Sequence, residues 1–327
     1  MLEGDINMKA VVLERTCKAE DLNVSKVEIP KVKKDWVLVK VLGFGINRAE
    51  VILRDYEADE DYIDLPVIPG IECVGEVVDA SNTGFKKGDK IAALMGGMGR
   101  SFNGGYAEYA LLPDKIVFRI DDNVFDNLTL EEVIAVPETY FTAYGSIKSL
   151  NLKKEDTLLI RGATSALGLS AMQLAKAIGC KILATSRSKD HFDNLKTNGA
   201  DECFIDDGCL ADKLNCDKVL ELIGPKTLED SMKCLNEGGI CCVTGILGGI
   251  EYIDKFDPIK VIPNDCYLTS FFSDYPTQEI MDNLFDFIVK NNIKPNISKV
   301  FTNLEDISKA HALMESNNAQ GKIVFML

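Results

Sequence analysis

A tight turn of small residues between a strand and a helix is the feature of this chain that most constrains its fold. The stretch Arg161-Gly-Ala-Thr-Ser-Ala-Leu-Gly168 joins an apolar run at 157–160 to an apolar-faced segment that continues to about Gly179. At such a turn, unpaired backbone N–H groups and the positive end of the helix dipole together form a pyrophosphate site. The dinucleotide fingerprint G-x-G-x-x-G keeps only its last glycine, with Ala163 and Ser165 in the other places, so the turn alone also fits ordinary strand–helix packing.

The pattern of apolar residues after the turn favours the dinucleotide site. Apolar residues recur there at helical spacing, at Leu167, Ala171, Leu174, Ala175 and Ile178. Strand-like runs then alternate with stretches long enough for helices, and these runs span 181–185, 202–205, 218–222 and 240–243. Such alternation is typical of a doubly wound parallel sheet, in which ligands bind at the carboxyl ends of the strands. The sequence therefore predicts an α/β fold with a Rossmann doubly wound parallel sheet.

The residues after the second predicted strand bear on which dinucleotide binds. An NAD site places Asp or Glu about 20 residues past the first glycine position, where it accepts a hydrogen bond from the ribose 2′-hydroxyl. Here that place reads Thr185-Ser-Arg-Ser-Lys189, with no carboxylate before Asp190. Two cations beside hydroxyls suit a 2′-phosphate, and a polar loop with two solvated cations is the alternative. We predict NADPH as the cofactor, with Ser186, Arg187 and Lys189 binding its 2′-phosphate.

Charge and cysteine usage exclude several classes of protein. The chain has 51 acidic and 36 basic residues, a formal net charge of −15, which argues against broad nucleic-acid or anionic-membrane binding. No apolar run reaches transmembrane length, and residues 1–7 lack the regions of a signal peptide, so we expect a cytoplasmic protein in which this segment has no role in the fold. The ten cysteines form no C-x-x-C pair and there are only two histidines, so we expect reduced thiols and no structural zinc.

Residues 9 to about 125 show a different pattern of short alternating strands separated by glycine and proline. The predicted strands span 9–14, 36–42, 73–78, 90–94 and 106–112. This pattern indicates an antiparallel barrel or sandwich. The glycine-rich stretch 95–105 is predicted to be a mobile loop, either a lid over a substrate or a long hairpin connection. The C-terminal part returns to helices at 277–290 and 304–316, followed by a strand at 321–325.

Six short motifs run along the whole chain. They are Gly45-Ile-Asn-Arg-Ala-Glu50, Pro69-Gly-Ile-Glu-Cys-Val-Gly-Glu76, Phe85-Lys-Lys-Gly-Asp-Lys90, Gly104-Gly-Tyr-Ala-Glu-Tyr109, the turn at 163–168, and Ala319-Gln-Gly-Lys-Ile-Val324. Their order and spacing resemble those of the zinc-free medium-chain dehydrogenases/reductases of the quinone oxidoreductase type. The resemblance implies a GroES-like β-rich catalytic domain, 1–130 and 270–327, around a Rossmann NADP(H)-binding domain, 131–269. It also suggests a homodimer in which the strand region 239–244 pairs edge to edge.

Two positions depart from the zinc-dependent relatives of this family. Those relatives place a cysteine ligand where Asn47 stands, and a histidine ligand in a Gly-His-Glu motif where this chain has Gly70-Ile71-Glu72. A catalytic zinc needs about three protein ligands and an open position. The cysteine-rich loop that binds structural zinc in those relatives is also missing. We therefore expect no metal, and a structural role for the remaining carboxylate of Glu72.

Without a metal to polarise an alkoxide, alcohol oxidation is poorly supported. We predict an NADPH-dependent oxidoreductase that transfers hydride to a quinone or an α,β-unsaturated carbonyl, with the protein aligning the reactants, excluding water and stabilising the developing oxyanion. Tyr56 and Tyr62 lie in a variable loop that could cover this substrate. A non-catalytic NADPH-binding redox sensor is the alternative from a different class, and an alcohol-oxidising zinc enzyme is a weaker third.

The matched motifs imply a set of site residues. Asn47 is the predicted catalytic residue, beside the nicotinamide ribose and the substrate, with a loop-stabilising asparagine as the alternative. Thr142 is implied near the nicotinamide, or else packs on its helix. Lys322 is implied close to the cofactor, or else is solvated. The remaining predicted cofactor contacts come from the turn and from a loop after a later strand: Thr164, Ser165, Ala166, Leu167, Gly245, Ile246 and Leu247.

Four other polar residues carry expectations. Glu50 stands where relatives often have aspartate, so no acid role is carried over to it. Asp206 takes the place of a tyrosine that lies near the adenosine phosphate in relatives. An inward-pointing carboxylate there would repel a phosphate, and we expect Asp206 to face solvent. His191 and His311 belong to no matched motif and are expected on the surfaces of helices.

Overall fold

The computed structural model describes residues 6–274 and 276–327. The expected N-terminal extension lies largely outside these residues, but Asn7 begins the first strand. The strands are β1 Asn7–Val11, β2 Val24–Glu28, β3 Trp36–Ile46, β4 Glu72–Asp79, β5 Lys90–Leu94, β6 Tyr109–Pro113, β7 Val117–Arg119, β8 Thr157–Arg161, β9 Lys181–Ser186, β10 Glu202–Ile205, β11 Cys216–Glu221, β12 Leu235–Val243, β13 Tyr267–Ser270, β14 Ile297–Phe301 and β15 Lys322–Met326.

The helices have the following bounds: α1 Arg48–Asp55, α2 Asp122–Asn127, α3 Leu130–Ile134, α4 Pro137–Ser149, α5 Ala166–Ile178, α6 Phe192–Thr197, α7 Leu228–Lys233, α8 Pro258–Val261, α9 Gln278–Lys290 and α10 Ile307–Glu315. Short 3-10 helices lie at Ala19–Asp21, Glu57–Asp59, Asp114–Ile116, Lys189–His191 and Leu304–Asp306. No helix among the described residues has the length and apolar character needed to cross a membrane.

The chain divides into two units, one that takes in the chain up to Glu138 together with Asp274–Leu327, and one formed by Thr139–Ser273. The first unit contains a sheet in the order β14-β15-β3-β4-β5-β7, with β6 also paired to β3. All its pairs except β14–β15 are antiparallel, as the alternating strand pattern predicts. Its core includes stacked aromatic rings, with Phe44 between Tyr106 at 4.6 Å and Phe325 at 5.0 Å between ring centroids.

The glycine-rich stretch 95–105 packs closely against the chain segment that precedes β4. Gly105 and Tyr106 donate backbone hydrogen bonds to the carbonyls of Gly70 and Pro69, each at 3.0 Å. A Cβ at Gly104 would lie 2.2 Å from the carbonyl oxygen of Gly70, so only glycine permits this approach. These contacts favour the connecting role of the stretch over a detached lid.

The second unit is built around a six-stranded sheet in the order β10-β9-β8-β11-β12-β13, in which every pair is parallel. The order reverses between β8 and β11, which is the switch point where such sheets bind their ligands. Helix α5 follows β8 as predicted and ends at Gly179, whose φ of +101° an L side chain rarely adopts. The predicted α/β fold with a Rossmann parallel sheet and a separate β-rich unit is therefore confirmed.

One prediction about the sheet edge is wrong. Strand β12 lies inside the sheet, with Ile240 paired to Lys218 of β11 on one side and to Tyr267 of β13 on the other. Because both sides of its backbone are already bonded, residues 239–244 cannot pair edge to edge with a second chain. The terminal strand on that side of the described sheet is β13, which the sequence pattern did not reveal.

Candidate functional site

The turn between β8 and α5 has the geometry of an anion-binding helix N-terminus. Ser165 caps the helix, since its Oγ accepts the N–H of Gly168 at 3.0 Å and donates to the carbonyl of Gly162 at 2.9 Å. The N–H groups of Ala166 and Leu167, in the first turn of α5, have no intrahelical acceptor. They are therefore available to an anion placed at this end of the helix, which the helix dipole also favours.

Small residues are needed at both ends of this turn. Gly162 has a φ of +87°, a conformation that glycine adopts without steric cost. A Cβ at Gly168 would lie 2.7 Å from the Cα of Ala163, so the helix packs directly on the turn. Thr164, in the middle of the turn, is half-buried. The surviving glycine of the fingerprint thus has its usual packing role, even though the other two are replaced.

Two cations stand exposed after strand β9. Ser186 ends the strand and is buried, and its Oγ accepts the N–H of Ser188 at 3.2 Å. Arg187 and Lys189 are both exposed, and neither forms an ion pair within residues 6–274 and 276–327. The structure thus places the three residues predicted to bind a 2′-phosphate on one short segment at the carboxyl end of a parallel strand.

Asp206 does not face solvent as expected. Its carboxylate accepts two hydrogen bonds from the guanidinium of Arg161, from Nε and Nη2, each at 2.8 Å. The Asp206 side chain is only 10% exposed. Burial by itself would raise the pKa of this carboxyl, but the hydrogen bonds and charge of Arg161 hold the pKa below its usual value. The expectation is wrong because it did not include a buried cation as partner.

Arg161 is a buried cation beside the turn that sequence reasoning missed. Its side chain is fully buried, and Nη1 donates to the carboxylate of Asp230 at 2.7 Å, to Ser231 Oγ at 3.0 Å and to the carbonyl of Thr227 at 3.2 Å. A signal was present, because a charged residue ends the otherwise apolar strand Thr-Leu-Leu-Ile-Arg. A buried arginine at the end of a sheet strand needs acidic partners close by.

The loop after β12 lies against the pyrophosphate turn. Leu247 donates its backbone N–H to the carbonyl of Leu222 at 3.0 Å, and a Cβ on Gly162 would be 3.3 Å from the Leu247 side chain. Gly245 is required there because its Cβ would lie 2.4 Å from the Leu222 carbonyl oxygen. The side chains of Ile246 and Leu247 are 39% and 42% exposed, so this loop has an exposed apolar surface.

Thr142 lies on helix α4 and is buried. Ser146, one turn later, donates from its Oγ to the Thr142 carbonyl at 2.7 Å and shares a hydrogen bond with Thr244 Oγ1 at 2.9 Å. Thr244 directly precedes Gly245. The structure therefore connects the part of α4 that carries Thr142 to the loop predicted to contact the nicotinamide.

In the first unit, Asn47 is held by three charged side chains. Its amide nitrogen donates to Glu72 Oε1 at 2.9 Å and to Glu50 Oε1 at 3.3 Å. Its amide oxygen accepts from Lys322 Nζ at 2.5 Å, and the same ammonium donates to Glu72 Oε1 at 2.6 Å. Lys322 is only 2% exposed, so the alternative of a solvated lysine is wrong. We refer to these four residues as the Asn47 cluster.

The backbone around the Asn47 cluster explains its carboxylates. Glu50 accepts the backbone N–H of Asn47 at 2.7 Å and that of Ile71 at 3.0 Å. Burial raises the pKa of the Glu50 carboxyl, and the Ile71 N–H and the charge of Lys322 oppose that rise. The second carboxylate oxygen of Glu72 accepts the backbone N–H of Glu138 at 2.8 Å. Both carboxylates therefore have structural partners as well as the side chain of Asn47.

The same cluster does not fit a catalytic zinc. Ile71, which stands in the place of the histidine ligand, is a buried apolar residue, and Asn47 stands in the place of the cysteine. The ammonium of Lys322 already bonds both Asn47 and Glu72, so a second cation there would be repelled. Across the described part of the chain, no three His, Cys, Asp or Glu side chains gather where they could hold a metal ion.

The two tyrosines of the variable loop are exposed, whereas a histidine that was expected on the surface is buried. Tyr56 and Tyr62 are 49% and 59% exposed, and the Tyr62 hydroxyl donates to Glu57 Oε1 at 3.1 Å. His311 is wrongly expected on the surface, since it is 1% exposed and packs edge-on to Tyr106 with ring centroids 5.8 Å apart. Burial, with a smaller contribution from Arg54, lowers the pKa of His311 to about 3.

Comparisons with known proteins agree with this architecture. The family model described as alcohol dehydrogenase GroES-like domain matches residues 33–122, and that described as zinc-binding dehydrogenase matches residues 198–325. The quinone oxidoreductases of Pongo abelii and Homo sapiens are each 29% identical over 341 aligned residues, with 100% of this chain and of theirs covered. The solved quinone oxidoreductase of Coxiella burnetii is 23% identical with a TM-score of 0.84, covering 98% of this chain and 99% of that chain.

The fold, the dinucleotide turn and these matches define an oxidoreductase that uses a nicotinamide cofactor. The chain belongs to the medium-chain dehydrogenase/reductase family and is similar to its quinone oxidoreductases.

Proposed function

We propose that this protein is an NADPH-dependent reductase that transfers hydride to a quinone or an α,β-unsaturated carbonyl without a metal. The observation that carries the proposal is the pair of exposed cations after β9, Arg187 and Lys189, which have no acidic partner among the described residues. A 2′-phosphate would supply the missing anion through charge-assisted hydrogen bonds. The unphosphorylated cofactor would leave both cations without a counter-charge.

The compensated carboxylate of Asp206 supports the preference for a phosphorylated cofactor. It lies beside the proposed phosphate-binding segment, since its backbone N–H donates to the Ser186 carbonyl at 2.9 Å. Unpaired, its charge would oppose a phosphate. Because the guanidinium of Arg161, which also pairs with Asp230, bonds both oxygens of Asp206, much of this charge is offset before any ligand binds.

The Asn47 cluster supports a reduction that needs no Lewis acid. Asn47 and the neighbouring Ile71 stand in the places of two zinc ligands, and a protein cation, Lys322, is the positive charge next to Asn47. We propose that Lys322, whose ammonium has a third N–H beyond those bonded to Asn47 and Glu72, favours negative charge that builds on a substrate oxygen, as a preorganised donor does in a low-dielectric site. An acceptor that is already electron-poor needs no stronger polarisation.

NADPH, when bound, supplies the hydride from its nicotinamide ring. The protein groups have binding and orienting roles. The first-turn N–H groups of Ala166 and Leu167 bind the pyrophosphate, and the loop 245–247 with Thr142 contacts the nicotinamide end. Asn47 keeps one acceptor site on its amide oxygen after bonding Lys322, so it can accept a hydrogen bond from a ribose or substrate hydroxyl.

The test is the decay of NADPH absorbance with 9,10-phenanthrenequinone and with a short enone, compared with NADH under the same conditions. We expect turnover with at least one acceptor and a lower KM for NADPH than for NADH. Tight NADPH binding without turnover of either acceptor would favour the redox sensor instead. Activity that requires a stoichiometric bound metal would refute the metal-free mechanism.

A further inference from the structure

A carboxylate lies where a phosphate is proposed to bind. Ile205, the last residue of β10, pairs with Ser186 of β9, and the next residue, Asp206, donates its N–H to the Ser186 carbonyl. Thr185 adds a side-chain link, since its Oγ1 accepts the N–H of Gly162 at 3.1 Å and donates to Asp206 Oδ2 at 3.5 Å. Asp206 is therefore attached to both the phosphate-binding segment and the pyrophosphate turn.

Arg161 holds this carboxylate with two parallel hydrogen bonds. The guanidinium directs Nε and Nη2 to the two oxygens of Asp206, which is the strong bidentate arrangement of an arginine–carboxylate pair. Both side chains are sheltered from water, at 0% and 10% exposure. Water therefore screens these two charges weakly, and a nearby group experiences the sum of the negative charge of Asp206 and the positive charge of Arg161.

The other acidic groups around Arg161 have donors of their own. Asp230, bonded to Arg161 Nη1, also accepts the backbone N–H of Leu210 at 2.9 Å. Glu221 accepts the backbone N–H groups of Ile223 and Gly224 at 2.7 and 3.0 Å. Among the described contacts, the Asp206 carboxylate accepts one backbone hydrogen bond, from the N–H of Gly208 at 3.1 Å. Its negative charge is therefore offset mainly by Arg161.

We propose that Arg161 is a positioning residue that sets cofactor preference, by fixing and neutralising the Asp206 carboxylate beside the 2′-phosphate site. This inference rests on the proposed NADPH dependence and adds the residue that makes it possible. Without the guanidinium, Asp206 carries an uncompensated negative charge at the end of β10. That charge repels a 2′-phosphate and, as a hydrogen-bond acceptor, suits the 2′-hydroxyl of the unphosphorylated cofactor.

The variants change the charge near the 2′-phosphate site in different ways, so each should shift the preference for NADPH over NADH in a different direction. Arg161→Gln leaves Asp206 charged and lowers the preference for NADPH. Asp206→Asn leaves Arg161 charged and raises that preference. The double variant removes both charges and returns the preference towards the wild-type value, which a loss of folding or a direct contact of Arg161 with phosphate would not do.

The experiment measures the dissociation constants of NADPH and NADH by nucleotide fluorescence for the wild type and the three variants. We expect the ratio Kd(NADH)/Kd(NADPH) to fall about tenfold in Arg161→Gln, to rise about threefold in Asp206→Asn, and to lie within about threefold of wild type in the double variant. Lys213→Gln is the matched control, since it breaks the neighbouring exposed pair with Asp207 and should change the ratio less than about twofold.

Arg161→Lys covers the case in which the glutamine variant does not fold. It keeps a positive charge but cannot make the two-point contact, so the ratio should fall by less, and Asp206→Asn should restore it in that background as well. A ratio that is unchanged in both Arg161 variants, or that stays low after Asp206→Asn is added, overturns the inference. A wild-type protein that prefers NADH refutes the NADPH dependence itself, and the two failures are thereby distinguished.

Discussion

At the end of β9 two cations stand exposed without an acidic partner among the described residues, whereas the three charged side chains that bond Asn47, those of Glu50, Glu72 and Lys322, are buried. The first arrangement has an unmet charge and is suited to bind a ligand of opposite sign. The second has its polar groups bonded within the protein and is suited to hold one amide in a fixed orientation. A binding role thus goes with exposed, unpaired charges, and an orienting role with buried, hydrogen-bonded ones. Substitutions in the two regions should therefore have different effects.

The largest effect is expected from Lys322→Met. This change leaves Glu72 buried and without its cation, so the free energy of unfolding should fall by about 3–5 kcal/mol. Asn47 also loses the donor that orients its amide oxygen, and kcat should fall about 100-fold in conditions where the variant is folded. Urea unfolding and steady-state quinone reduction measure the two effects.

Lys299→Met on the adjacent strand β14 is the control for Lys322→Met, because Lys299 is exposed. Both quantities should stay close to wild type in this control. If Lys322→Met lowered stability no more than Lys299→Met did, the description of a mutually dependent buried cluster would be wrong.

A smaller and more selective effect is expected from Arg187→Ala. Loss of a charge-assisted contact to a phosphate, about 1.5–3 kcal/mol, should weaken NADPH binding about 10- to 100-fold. NADH binding and the free energy of unfolding should hardly change, because Arg187 has no ion pair among the described residues. Lys196→Ala, an exposed cation on α6, is the matched control for the loss of one positive charge. Equal weakening of NADH and NADPH would show that Arg187 does not read the 2′-phosphate.

The smallest effect concerns pH and the buried His311. Its pKa is about 3 in the folded protein and about 6.5 when unfolded, so between these values the unfolded state binds more protons and stability falls as the pH falls. Between pH 7 and pH 5 this group should lower the free energy of unfolding by about 2 kcal/mol. His311→Phe should remove that part of the pH dependence, as measured by urea unfolding at both pH values. An identical pH dependence in wild type and variant would show that His311 titrates normally.

The sequence predicts the sheet strands well where the pattern of apolar residues is local. Strands β5 and β10 have the predicted bounds, and α5 begins at the predicted turn. The candidate residues on short motifs, such as Asn47 and the segment after β9, were also recognisable. Each of these features depends on residues that are close together in the chain.

The pairings across long sequence separations could not be predicted. Lys322 bonds Glu72 over 250 residues, and Arg161 bonds Asp206 over 45 residues, and no spacing rule identifies such partners. His311 did carry a usable signal, because it lies four residues after the buried Ile307 and so on the apolar face of α10. Its polar character led to the wrong expectation of a surface position.

The most direct test of a metal-free, phosphate-selective reductase is a single-turnover measurement on chelator-treated protein. Protein dialysed against a chelator is mixed with NADPH or NADH in one syringe and 9,10-phenanthrenequinone in the other, and hydride transfer is followed by nucleotide absorbance. The account predicts complete hydride transfer from NADPH in the absence of metal. At the same nucleotide concentration NADH should transfer less, because that concentration is too low to saturate the protein with NADH. Transfer that is lost on chelation and restored by zinc, or that proceeds equally well from both nucleotides, would contradict it.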